Sequence, residues 1–297
     1  MIENRSDSGP VIVGVDGSER SIEALALADL LGPALGRPVV IVHVHPFRQL
    51  SSVFAEGEYE RLLREVAEST FEQIREHLPS GPERRMQLFP DSSPAAGLHA
   101  FAERERAALI VVGSSHRSRI GRIVVGGTGE RLLSGASAPV AVAPAGYAAA
   151  GRGLHVVGCG FDGSPESHRA LAWAAELART TSARLRVLSV YEPTLAASVA
   201  FGGGLPTASI NEVLRRQHEE ELARAVWALD ADIDASETLL DGDPQELLAG
   251  ESAELDLLAV GSRGYGPLRA VLLGSVSSAL VRSAQSPLVV VPRGAEE

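Results

Sequence analysis

The chain repeats itself, and that duplication limits what it can fold into more than any single motif does. VIVGVDGSERS at 11–21 returns as VVGCGFDGSPES at 156–167, with Asp16 answering to Asp162. PDSSP at 90–94 returns as LDGDP at 240–244, LIVVGSSHRSRIGRIVVGG at 109–127 as LLAVGSRGYGPLRAVLLGS at 257–275, and SAPVAVAP at 137–144 as QSPLVVVP at 285–292. Four landmarks in one order at nearly constant spacing mean a domain encoded twice. A chain of 297 residues has room for two such cores. The expected division is 1–146 and 153–297, joined through 147–152 in the small, Gly/Ala-rich stretch AGYAAAGRG.

Within each copy, short Val/Ile/Leu runs alternate with longer segments of helical periodicity, and strands apolar along their whole length belong to a parallel sheet covered on both faces. In the second copy the pattern predicts strands near 154–161, 184–191, 235–240, 256–261 and 287–291, and helices near 165–181, 208–230, 244–253 and 276–284. Ser164 is a good N-cap with Pro165 at the first helical position, and Leu171, Ala174, Ala175 and Ala178 share one face. Trp173 and Trp227 fall at core spacing and are expected to pack. The alternation predicts an α/β fold of two tandem doubly wound parallel five-stranded sheets, Rossmann-like in topology.

Composition narrows the function classes. The formal charge of −11 opposes a nucleic-acid phosphate backbone, and clusters such as Arg215-Arg216 are isolated, so no nucleic-acid partner is expected. No apolar run approaches the ~20 residues of a membrane helix, and MIENRSDSGP is polar, so neither a membrane nor a secretory signal is expected. Cys159 is the only cysteine, which excludes an intramolecular disulfide and fits a reducing cytoplasm. It reads as a small buried hydrophobe. His43 and His45 alternate on a strand, and without a third ligand in the pattern they read as packing or edge residues rather than a metal site.

In an open parallel sheet, ligands bind beyond the carboxyl ends of the strands. Asp162-Gly163-Ser164 follows the first strand of the second copy, and Gly261-Ser262-Arg263-Gly264 follows the fourth. After nine further residues comes Gly274-Ser275-Val276-Ser277, giving G-x2-G-x9-G-S at the start of a helix. Glycines here permit positive φ and close backbone approach, so N–H groups converge on an anion while the helix start adds its positive dipole end. Ser275 and Ser277 can donate to phosphate oxygens, and Arg263 adds a cation. Asp162 is placed to accept from a ribose hydroxyl or hold a Mg2+-bound water, with the alternative that it and Asp16 only shape the turn. Gly160 leaves room for the nucleotide against the sheet. Gly158-Cys159-Gly160-Phe161-Asp162-Gly163 also spells G-x-G-x-x-G. Asp162 would then set a carboxylate beside a pyrophosphate, and the first copy lacks the first glycine, which argues against a dinucleotide site. A Walker A pattern is absent.

On these residues the sequence resembles the universal stress protein family in its tandem form, whose ATP signature G-x2-G-x9-G-S/T is matched at Gly261, Gly264, Gly274 and Ser275. The opening strand ending in Asp-Gly-Ser and the closing strand before Pro292 are also similar, so the resemblance covers nearly the whole chain. It implies strand order 3-2-1-4-5, ATP in the second half, adenine near Val190, and a pseudo-dimer of the two halves through their last strands; Mg2+ is expected to share the phosphate charge, since the loop has no Lys, and a homodimer of whole chains is a further expectation. The candidate ATP-binding set in the second half is Gly160, Asp162, Ser164, Val190, Gly242, Gly261, Ser262, Arg263, Gly264, Gly274, Ser275, Val276 and Ser277. In the first half it is Gly14, Asp16, Ser18, Val44, Gly113, Ser114, His116, Gly126, Gly127 and Thr128. There His116 stands where the second glycine belongs, and Gly127 and Gly129 replace the two serines. Each neutral hydroxyl lost from a charged phosphate costs about 1.5–3 kcal/mol, so that site is expected to be weaker or altered, or else to bind nothing.

The expected function is that of an adenine-nucleotide-binding, stress-linked regulatory protein with at most slow ATP hydrolysis and with a protein partner the sequence does not name. The competing reading is an ATP-using enzyme, an ATPase or an adenylyl-transfer relative of the same topology. A third is an interaction module without ligand. Phe201-Gly202-Gly203-Gly204 suggests a flap over the pocket or a plain connection, and Glu219-Glu220-Glu221 a solvated helix face.

Overall fold

The computed structural model describes residues 9–46, 56–77, 84–115, 123, 126–147, 153–193, 207–262 and 273–292. The first half runs β1 (Val11–Gly14), α1 (Glu19–Ala34), β2 (Val39–Pro46), α2 (Glu56–His77), β3 (Arg85–Asp91), α3 (Pro94–Glu105), β4 (Leu109–Gly113), α4 (Gly127–Leu133) and β5 (Val140–Ala143). The second runs β6 (Val156–Gly160), α5 (Pro165–Thr181), β7 (Arg184–Tyr191), α6 (Thr207–Trp227), β8 (Ala235–Asp241), α7 (Pro244–Glu251), β9 (Leu257–Gly261), α8 (Ser275–Ser283) and β10 (Leu288–Val291).

Helix starts follow the capping residues. Ser93 accepts from Ala96 N at 3.2 Å before Pro94, and Asp243 accepts from Gln245 N at 2.7 Å and Glu246 N at 3.1 Å before Pro244. The repeated PDSSP/LDGDP landmark is therefore a cap followed by proline, the residue whose missing N–H costs nothing there. Ser164 caps α5 in the same way, accepting from Ser167 N at 3.2 Å.

Each half has the strand order 3-2-1-4-5, but the two sheets do not stay separate. They form one ten-stranded sheet, β3-β2-β1-β4-β5-β10-β9-β6-β7-β8. Pairing is parallel within each half and antiparallel at the join, where Val140, Ala141 and Val142 face Val290, Val289 and Leu288. The reason lies in VAVA and LVVV, both buried throughout. An apolar strand left at an edge invites pairing with another chain, and here each edge covers the other. Two apolar layers flank the sheet, and each draws residues from both halves: α1, α2, α5 and α6 pack on one face, α3, α4, α7 and α8 on the other.

Leu171, Ala174, Ala175 and Ala178 are buried as predicted, and Trp173 packs partly against the core. Trp227 does not pack: it is 88% exposed. Leu222, Ala225 and Val226 face the core from α6, and a helix turns about 100° per residue, which carries Trp227 off that face. Tyr147, placed by the sequence in the linker, is buried in the core. His43 is a packing residue, its Nδ1 2.8 Å from the Val15 carbonyl and its ring edge-on to Phe71. Among the described residues no helix is long and apolar enough to cross a membrane.

Leu288 touches both halves, pairing with Val142 on β5 and Leu258 on β9, and is fully buried. Leu288→Ala is expected to lower unfolding stability by about 3 kcal/mol, read from the midpoint of urea denaturation.

Candidate functional site

Beyond the carboxyl ends of the strands each half opens into a cavity, about 480 Å³ in the second half and about 240 Å³ in the first. The mouth of each is built by the same turn. After β6 the chain reaches Asp162, then Gly163 at φ +75°, then the N-cap Ser164, and after β1 it reaches Asp16, Gly17 at φ +83° and Ser18. A left-handed residue at that point favours glycine. Asp162 Oδ1 accepts from Ser164 N at 3.0 Å and from the Ser164 hydroxyl. Asp16 Oδ1 accepts from Ser18 N at 3.0 Å, Ser18 Oγ at 2.6 Å and Ser21 Oγ at 2.5 Å. Both aspartates shape the turn, and both carboxylates are exposed at the cavity wall.

Contrary to expectation, Gly261, Gly274 and their counterparts Gly113 and Gly126 do not have positive φ. Gly274 has φ −63° and Gly126 φ −84°, values any residue adopts. At Gly261 a Cβ would stand 2.6 Å from the Glu166 carbonyl carbon and 2.7 Å from its oxygen, so only glycine lets β9 approach the first turn of α5 this closely. Gly113 meets the Arg20 backbone in the same way. Gly274 is the N-cap of α8 and has no side chain to cap with. The first N–H groups of α8 have no intrahelical partner, and they lie where Gly274, Ser275, Val276 and Ser277 line the cavity. Such a terminus receives anions. Ser277 is buried, with Oγ 3.4 Å from the Gly261 carbonyl oxygen, and Ser275 is exposed.

Of the candidates in the second half, Gly160, Asp162, Ser164, Val190, Gly261, Gly274, Ser275, Val276 and Ser277 share one cavity wall. Gly242 and Ser262 do not line it. Gly242, at φ +146°, turns the chain from β8 into α7 and donates to Tyr191 O at 3.0 Å. Ser262 is 1% exposed and continues the β9 pairing, its N donating to Val291 O at 2.8 Å. In the first half Gly14, Asp16, Ser18, Val44, Gly113, Ser114, Gly126, Gly127 and Thr128 line the smaller cavity. Arg263, Gly264, His116 and the 201–204 stretch lie outside the described residues. Gly158 serves packing inside β6, where a Cβ would collide with Leu255.

Several wall residues of the larger cavity carry no motif. Leu188, Leu248 and Val260 complete an apolar slot around Val190. Leu214 and His218, four residues apart on α6, roof it, with His218 edge-on to Tyr191 at 5.6 Å and Tyr191 donating to Asn211 Oδ1 at 2.8 Å. Burial, then the Asp241 charge, raises the Tyr191 hydroxyl pKa, which keeps it a donor. Their i, i+4 spacing was visible in the sequence, but nothing there told which side of α6 faces the sheet mouth. Arg215 pairs with Glu219 at 2.5 Å and Arg216 with Glu212 at 3.0 Å on the solvent side.

A model of the universal stress protein family matches residues 8–144 and again 154–292. The chain belongs to the universal stress protein family. A universal stress protein of Mycobacterium tuberculosis strain H37Rv is 27% identical over 303 residues, spanning 98% of this chain and 99% of that relative. Another, from Mycobacterium bovis, is 31% identical over 149 residues, 45% of this chain and 46% of the relative. The fold is shared with a universal stress protein from Archaeoglobus fulgidus, at TM-score 0.64 and 20% identity over 96% of this chain and 98% of that one. It is also shared with a putative universal stress protein from Pseudomonas aeruginosa, at TM-score 0.60 and 15% identity over 97% and 95%.

Cys159, next to the cavity-lining Gly160, is fully buried, and burial followed by the Asp162 charge pushes its thiol well above the ordinary range. Because the thiolate is the reactive form, Cys159 is expected to resist a disulfide-exchange reagent at pH 8 in the folded protein and to react stoichiometrically in denaturant, a difference read by absorbance.

Proposed function

We propose that this universal stress protein binds an adenine nucleotide, ATP with Mg2+, in the larger cavity, and that occupancy rather than turnover is its working signal in a stress response. The observation that carries this reading is the uncapped start of α8, with Gly261, Gly274, Ser275 and Ser277 at one end of the cavity and the slot of Leu188, Val190, Leu248 and Val260 to take a base. The N–H groups and hydroxyls suit phosphate oxygens, and the aliphatic slot suits a flat apolar ring. Asp162, Glu166 and Glu192 on the same wall are acidic, and a magnesium ion carried by the triphosphate would offset their repulsion of it. The two halves, joined antiparallel through β5 and β10, would act as an intramolecular pseudo-dimer that carries occupancy of one cavity toward the other. In the first half, glycines at 127 and 129 stand where Ser275 and Ser277 stand in the second, so its affinity for the triphosphate is the weaker.

At free ATP about a hundredfold above Kd, with Mg2+, the protein should gain about 2.7 kcal/mol of stability, seen as a rise in Tm. Counting ADP separates this reading from an ATP-using enzyme: many turnovers per minute would overturn it, whereas ATP recovered intact after denaturing the complex supports it. Gly274→Asp would cap α8 with its own carboxylate and repel phosphate. Stability should hold or rise while calorimetry shows ATP affinity falling about a hundredfold, a two-step loss of phosphate contacts.

A further inference from the structure

Among the described residues that line the larger cavity there is no lysine or arginine, and His218 is the one side chain there that can become a cation. Its ring packs edge-on to Tyr191 at 5.6 Å, and among the described residues neither ring nitrogen has a hydrogen-bond partner. The position of that ring is set from both sides along α6. Two turns earlier Asn211 accepts from the Tyr191 hydroxyl at 2.8 Å, and one turn later Leu222 is buried in the core. An imidazole without a partner is thus held at the wall of the cavity with both nitrogens available.

The groups around it keep one charge state near neutral pH. Glu192 follows β7, Asp162 follows β6 and Glu166 belongs to α5, all on the same wall, and carboxylates ordinarily stay ionised above about pH 5. Tyr191 stays protonated, its pKa raised by burial and by Asp241 on β8. On the same helix, the Glu221 carboxylate lies beside Gly163, where a Cβ would stand 2.9 Å from its Oε2. Arg215 is turned away, donating to Asp241 at 3.2 Å and to Glu219 at 2.5 Å. Histidine is the residue whose charge ordinarily changes between pH 5 and 8. In the first half no described residue of α2 lines the smaller cavity, and the cation there is Arg20, which is charged throughout that range.

We infer that His218 makes nucleotide binding in the larger cavity proton-linked, its imidazolium facing the anionic ligand and strengthening binding as the pH falls. This rests on the nucleotide-binding reading above. A bound anion favours the charged form of a nearby imidazole, so the complex holds the proton to higher pH than the free protein does. The added affinity is complete below the free protein's titration, falls as pH rises through the interval between the two titrations, and is absent above it. For a histidine, ordinarily near 6.5, that interval lies within about pH 6 to 8. Acidification then loads the site with no change in nucleotide concentration, and it does so in one half of the molecule.

The test is calorimetric titration of the full chain with ATP in excess Mg2+ at pH 6.0 and pH 8.0. Wild type should bind about fivefold tighter at pH 6.0, as a one-unit stabilisation of the imidazolium on binding gives. His218→Gln should bind at both pH values with the affinity that wild type has at pH 8.0, and His218→Arg should keep the pH 6.0 affinity at pH 8.0. Titrations at pH 7.0 in buffers of different ionisation enthalpy should show wild type taking up about half a proton more per ATP than His218→Gln, a difference that a purely structural role for the ring would not produce. Should His218→Gln fail to fold, tight and pH-independent binding by His218→Arg decides the matter. ATP binding with the same pH dependence and proton uptake in wild type and in either variant overturns this inference alone, whereas no ATP binding at either pH removes the nucleotide-binding reading too.

Discussion

Two short strands, VAVA at 140–143 and LVVV at 288–291, are buried on both faces, and neither has a partner on its outer side within its own half. A parallel five-stranded sheet that ends on such a strand exposes a row of N–H and C=O groups flanked by apolar side chains. Duplication supplies the remedy. A second copy, turned antiparallel, presents the same kind of edge, and three residue pairs close the seam. The apolar layers then run across both halves, and both cavities open on one continuous sheet.

From that framework the cavities inherit their common design. Each opens at the carboxyl ends of its strands, each is bounded by an Asp-Gly-Ser turn, and each has a glycine at the end of the fourth strand against which the backbone of the helix after the first strand rests. The close approach leaves no space for a Cβ, so this glycine is fixed by sterics. The side chains carried by that shared backbone are free to diverge. Glu166 against Arg20, Val276 against Thr128 and Ser277 against Gly129 give the halves different electrostatics on the same scaffold.

Much of the architecture was legible in the residues because it is written in local chemistry. Ser164-Pro165, Ser93-Pro94 and Asp243-Pro244 start helices by hydrogen bonds that reach only two or three residues. Val11–Gly14 and Leu257–Gly261 announce buried strands by composition. What stayed hidden depended on a third dimension. Trp227 has the spacing of a core residue and still faces solvent, because the rotation of α6 is set by Leu222 and Ala225. Gly242 and Ser262 border motif residues in sequence and do not line the cavity, whereas Tyr191, Leu214 and His218 belong to no motif and line it.

The sequence by itself determined the duplicated α/β domain, the order of its elements, the place of the glycine-rich loop after the fourth strand, and the asymmetry between that loop's two copies. These follow from hydrophobic periodicity, capping and repeat alignment, which are properties of neighbours along the chain. Only the tertiary structure decided that the two sheets fuse into one, that α6 roofs the larger cavity, and that the backbones of Arg20 and Glu166 press on Gly113 and Gly261. Those outcomes depend on which buried surfaces meet across long separations, and on close backbone contacts that no run of neighbouring residues encodes.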